Sequence, residues 1–232
     1  MHTLRKLFLL GLTSLFMFAM AADALAQQRG GAPRSGAYTP EIEIAATYGH
    51  MWGGNIEFRG GKLRTGTAPA WGFALDYGIH PYQAIEFSYT RQDGQFDWDP
   101  RGGAKYKLTD TSINYWQLGT LRYFPVEGFR PFVLASLGLT YYSPSGSTIN
   151  IDGTDYAIES STKFSFNLGL GFKKYFGQNE KIGVRASFKV MPTLYDSGAG
   201  LWFGTGGASL GITGYAIWQF EAAAGLTVKF GS

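Results

Sequence analysis

The sequence predicts an all-β fold, an eight-stranded antiparallel transmembrane up-and-down β-barrel, on three observations. Apolar residues recur at every second position in about eight segments, and the connections between those segments alternate between short and long. The composition is the third: 33 Gly, 18 Phe, 14 Tyr and 6 Trp in 232 residues. Aromatic side chains fit a pleated surface, and glycine suits turns and close strand contacts better than helix interiors.

The chain divides into three parts. Residues 1–26 read as a secretory signal peptide: Arg5 and Lys6 precede an apolar run from Leu7 to Met20, and Ala24-Leu25-Ala26 supplies the small residues a signal peptidase needs. Residues 27–40, rich in Gly, Arg and Pro without periodicity, read as a flexible periplasmic lead-in. Residues 41–232 are left for the barrel. No later stretch reaches the roughly 20 apolar residues a spanning helix requires, so insertion must be by strands.

The first strand carries Ile42, Ile44, Ala46, Tyr48 and Trp52 on one parity, and the second Trp71, Phe73, Leu75, Tyr77 and Ile79. The third has Ile85, Phe87 and Tyr89. The fourth, within Thr111 to Phe124, mixes Tyr115, Trp116, Gln117 and Leu118, which leaves its two faces unassigned. Alternation resumes from Val133 to Tyr141, from Phe164 to Phe172, from Ile182 to Val190 and from Trp218 to Phe230. Short links fall near 80–83, 125–130 and 177–180, and long loops near 53–67, 97–110, 143–161 and 192–214. That asymmetry is expected of an outer-membrane barrel with both termini on the short-turn, periplasmic side.

Period two alone fits a soluble barrel equally well, so other residues must decide. The face opposite the apolar one is lined by small groups, among them Ser165, Asn167, Gly169, Gly171, Gly183, Ser187 and Gly225. A narrow lumen has room mainly for such side chains. Tyr48, Trp52, Trp71, Tyr89, Tyr141, Tyr175 and Trp218 lie near strand ends, where interfacial girdles belong. The lumen parity also carries charge: Glu43, Asp76 and Glu86 at similar depth on the first three strands, Lys173 and Arg185 on the far strands, and Lys189 and Glu221 further along. An unpaired charge in a narrow lumen is costly, so these seven are expected to link into a network that plugs the barrel.

With these residues in view, the chain resembles the small outer-membrane β-barrel proteins grouped around the transmembrane domain of outer membrane protein A and outer membrane protein X. The resemblance covers nearly all of Pro40 to Phe230 in architecture. Locally it rests on Trp71-Gly72 with Leu75-Asp76-Tyr77, Tyr89-Thr90-Arg91-Gln92-Asp93, Arg130-Pro131-Phe132 and Tyr142-Ser143-Pro144. It implies that Gly225, Val228 and Phe230 of the terminal strand resemble the signal read by the barrel-assembly machinery. Here Ala223 stands where a polar residue is common, and Gly231-Ser232 extend past Phe230. It further implies residence in the outer membrane among its lipids and lipopolysaccharide, as a monomer.

Several chemistries are excluded or weakly supported. The absence of Cys removes disulfides, thiolate metal sites and a lipoprotein attachment cysteine. A net charge of +3 without a clustered basic motif argues against nucleic acid. His80 reads as a turn residue, and His50 falls on the lipid-facing parity without a convincing triad around it. Gly204 to Gly211 lacks the helix and Lys of a phosphate-binding loop. Asn150 to Asp155 reads as a hairpin turning at Asp152-Gly153 rather than a calcium loop. Leu201, Trp202 and Phe203, bulky and apolar within a loop, are candidates for contact with a partner or the outer leaflet. The expectation is a non-enzymatic structural or surface-interaction protein with no cofactor and no metal, acting through long extracellular loops. A lipid-modifying enzyme and a narrow passive channel are the alternatives.

Overall fold

The computed structural model describes residues 39–57, 61–124, 126–146, 148–151, 154–157, 159–177, 179–204 and 207–230; within these, the side chains at 56–57, 149–151, 154–156, 195–204 and 207–215 are not described. The expected signal peptide and all but the last two residues of the expected lead-in lie outside these ranges.

Eight strands form the wall: β1 (Ile42–Trp52), β4 (Ala68–His80), β5 (Gln83–Pro100), β6 (Tyr106–Tyr123), β7 (Arg130–Pro144), β10 (Ser161–Phe176), β11 (Ile182–Gly204) and β12 (Gly207–Phe230). They pair antiparallel in the order β5-β4-β1-β12-β11-β10-β7-β6, and β6 pairs back onto β5 to close the ring. The seam between first and last strands is long and regular, from Ile42 opposite Phe230 to Trp52 opposite Phe220. Four shorter strands occupy the connections: β2 (Asn55–Glu57) pairs with β3 (Gly61–Thr65), which extends along β5, and β8 (Thr148–Ile151) pairs with β9 (Thr154–Ala157). No helix among the described residues is long and apolar enough to cross a membrane.

Burial alternates along each wall strand, and its sense is the inverse of a soluble protein's. On β4 the exposed set is Trp71, Phe73, Leu75, Tyr77 and Ile79, while Asp76 and the small residues between them face inward. On β10, Ser165, Asn167 and Lys173 are buried while Leu170 and Phe172 are exposed. Large apolar groups outside and polar groups inside are stable only where the surroundings are hydrocarbon. The soluble-barrel alternative has the opposite requirement.

The structure resolves the faces of β6. Ile113, Tyr115, Gln117 and Leu121 point inward, whereas Trp116 and Leu118 point outward. It also corrects the expected long loops. Much of 97–110 is strand, since β5 runs to Pro100 and β6 begins at Tyr106. The segment 192–214 is largely the hairpin of β11 and β12, paired as far as Gly204 opposite Gly207. Short links survive where a tight reversal is needed: Gly128 and Gly177 adopt φ of 81° and 80°, a region glycine enters without steric cost.

Candidate functional site

The candidate site is the lumen, and its contents follow from strand register. Antiparallel pairing sets Glu43 opposite Asp76 and Asp76 opposite Glu86, a row of three carboxyl groups on β1, β4 and β5. Across the lumen, pairing sets Lys173 opposite Arg185 on β10 and β11. Lys173 Nζ lies 2.5 Å from both Glu43 Oε1 and Asp76 Oδ2, and 3.1 Å from the Tyr123 hydroxyl. Arg185 reaches Glu86 Oε2 at 2.5 Å and Asp76 Oδ2 at 3.4 Å, with its guanidinium 4.9 Å from the centre of the Phe132 ring. Lys189 and Glu221 pair with each other at 2.8 Å across neighbouring strands. All seven are buried; Lys173 has no exposed surface.

Supporting groups hold this cluster in place. The hydroxyls of Thr227 and Tyr175 each donate to Glu43, to Oε1 and Oε2 respectively, both at 2.5 Å. Tyr175 therefore belongs to the inner rim and not to an outer girdle. Lys229 lies 4.0 Å and Arg130 5.5 Å from the centre of its ring, and both cations pair with Glu41.

Beyond the charges the lumen changes character. Gln117 donates to Ser165 at 2.7 Å and accepts from Ser136 at 3.3 Å, and the Thr140 and Thr193 hydroxyls meet at 3.0 Å. Tyr115 donates to Gln219, which donates to Gln92 at 2.8 Å; Gln92 in turn donates to the Gly66 carbonyl at 2.9 Å. Toward the long hairpins, Met51, Ile113, Tyr115, Tyr142, Met191 and Ile217 pack into an apolar cluster against which Phe96 also rests. Sequence reasoning missed this second closure. Its signal was present, because Met51 shares the parity of Glu43 and Met191 that of Lys189.

No family model and no curated protein matches the sequence. Among solved structures, the chain is similar to the outer membrane protein OprG of Pseudomonas aeruginosa, with a TM-score of 0.55 and 15% identity over 85% of this chain and 99% of that one. It is also similar to the outer membrane protein AlkL solved in lipid bilayers, with a TM-score of 0.51 and 12% identity over 88% and 96%. The fold is that of the small outer-membrane β-barrels.

Of the other candidate residues, Gly225 is the ladder partner of Arg185, while the rest stand apart from the lumen network. Gly225 lies where β12 passes β1, and a Cβ there would come within 1.8 Å of the Ala46 carbonyl oxygen, so its glycine is required by strand packing. Val228 and Phe230 are exposed on the outer face beside Ile44 and Ile42. Leu201, Trp202 and Phe203 lie on the β11 backbone, but their side chains fall outside the described residues. His50 is exposed on the outer face, its ring edge-on to Trp52 at 5.4 Å, and it borders a shallow outer concavity with Ala222 and Phe188. His80 accepts a hydrogen bond from the Tyr82 backbone in its turn. Above the Trp71 and Tyr89 belt, Arg91 and Ser112 both donate to Asp93 and hold its carboxyl below its ordinary value.

Proposed function

We propose that this chain is an integral protein of the outer membrane whose barrel is shut to diffusion and whose role is non-enzymatic, structural or in surface interaction, through the hairpins that rise from one end. The observation that carries this reading is the doubly filled lumen, with a buried ion-pair network near the short turns and an apolar cluster near the long hairpins. A barrel closed by its own side chains offers no path to a solute, which disfavours the passive channel. The enzyme alternative rests on His50, whose neighbours Trp52, Pro69 and Ala222 supply no carboxylate to orient an imidazole base. In this reading Leu201, Trp202 and Phe203 meet the partner or the outer leaflet, Gly225 to Phe230 engage the assembly machinery, and the termini face the periplasm.

Planar-bilayer recording on the refolded barrel tests the closure: no steady conductance is expected, and a stable open level would replace this reading with the channel. Protease added to whole cells tests the orientation, with cleavage expected near Gly146 to Asp155 or Gly198 to Gly207. Cutting at Glu127 or Gln178 from outside would reverse it.

A further inference from the structure

The outer wall is not evenly convex. Between β1 and β10 it holds the concavity that His50 borders, with a volume of about 670 Å³. Strand register shows how it is built. One row of paired positions sets Tyr48, Ala224, Ala186 and Phe172 side by side on β1, β12, β11 and β10. The next row sets His50, Ala222, Phe188 and Leu170 in the same order. Alanines on the two middle strands make the floor, with Tyr48 and His50 as one bank and Leu170 and Phe172 as the other.

Two features say what fills it. The first is the surroundings: this wall faces hydrocarbon, and a hollow left empty there forfeits the dispersion contacts of its lining. A flexible acyl chain can enter such a hollow. A second copy of the barrel cannot fill it in a symmetric pair, because an isologous contact sets hollow against hollow. The second feature is charge. The row on the short-turn side of the floor reads Ala46, Leu226, Val184 and Lys174. Lys174 is exposed, with Phe172 and Phe176 as its outward neighbours on β10. Among the described side chains it is the one charged residue on the outward parity of β10, β11 and β12, and no carboxylate accompanies it on that face. It stands two residues from the short-turn end of β10, whereas His50 stands two residues from the opposite end of β1. The hollow therefore climbs obliquely from a cation at headgroup level into the hydrocarbon. A lysine in that position lays its stem over apolar surface and carries its ammonium to the interface.

We propose that this hollow binds one anionic glycerophospholipid, with an acyl chain laid along the alanine floor and the headgroup phosphate held by Lys174. Shape selects the chain and the ammonium selects the headgroup, so a neutral or zwitterionic lipid fills the groove but binds less tightly. The site belongs to the leaflet at the short-turn end. It goes beyond the reading above and depends neither on a closed lumen nor on which side of the membrane the short turns face.

Native mass spectrometry of the folded protein, released from micelles holding equal amounts of phosphatidylglycerol and phosphatidylcholine, tests the site. One retained lipid is expected, with phosphatidylglycerol preferred. Lys174→Gln should reduce that preference about fivefold, the share of one lysine at an anionic surface. Ala224→Phe, which fills the floor from the lipid side, should lose the retained lipid whatever its headgroup; if that variant does not fold, Ala222→Leu makes the same test. Phosphatidylglycerol with a photoreactive acyl chain should label β11 and β12 at the level of Ala186 and Ala222. Equal retention of the two lipids by the parent overturns the proposal, as does an unchanged preference in Lys174→Gln or unchanged retention in the filled groove. Loss of the preference in His50→Gln instead would put the headgroup at the wrong end, and a dimer in place of the lipid would give the hollow to a second copy. Steady conductance of the same preparation would refute the closed lumen and leave this site untouched.

Discussion

Lys173 and Met191 occupy the same lumen, one ringed by carboxyl groups near the short turns, the other packed among apolar side chains near the long hairpins. Both regions are filled by side chains, but by interactions that fail differently. Removing one member of the charged cluster strands its partners as buried ions, so damage there is abrupt. Trimming the apolar cluster leaves a void whose cost scales with the volume lost. The charged end demands a complete set; the apolar end tolerates approximation.

Substitutions can break that contrast or sharpen it. Arg185→Ala, which takes the ion-pair partner from Glu86 and leaves Asp76 with Lys173 alone, is expected to lose about 3–5 kcal/mol in a reversible urea titration in lipid. A loss below roughly 1 kcal/mol, the size of a solvated pair, would mean that the charged end is wet and the contrast false. Tyr115→Phe deprives Gln219 of a donor where polar and apolar halves meet, and is expected to cost about 1–3 kcal/mol in the same titration. Ile113→Val, within the apolar cluster, should cost about 0.5–1.5 kcal/mol with no change in cooperativity. The smallest effect belongs to the outer surface. Hydrogen bonds depress the Asp93 carboxyl, so its contribution is present at neutral pH and fades as the pH falls through that lowered value. Both Asp93 and Arg91 are more than a third exposed, and Asp93→Asn should shift the titration by no more than about 0.5 kcal/mol.

How far the sequence could be read followed from the same contrast. Wall strands such as β4 and β12 were legible because large apolar and small or polar residues alternate without interruption. The lumen charges were legible through parity, since Glu43, Asp76, Glu86, Lys173 and Arg185 all interrupt apolar-out strands on the inner face. On β6 the rule of polar inside and apolar outside breaks down, because Ile113, Tyr115 and Leu121 are apolar and point inward. Two apolar faces cancel the alternation, which is why neither this strand nor the upper cluster could be assigned. The hairpin extensions around Asp97 and Lys107 were hidden for another reason. Beyond the aromatic belt a strand no longer has hydrocarbon on one side, so its residues alternate weakly and resemble loop.

The β1–β12 seam has a consequence for how the molecule comes into being. Ile42 on β1 finds its partner at Phe230 on β12, so no ring exists until β12 has been made. Contacts this distant in sequence form slowly, because most of the chain's freedom must be surrendered before they reward it. Until then the sheet carries two unpaired edges able to recruit other chains. Losing β12 would leave an open ribbon rather than a smaller barrel.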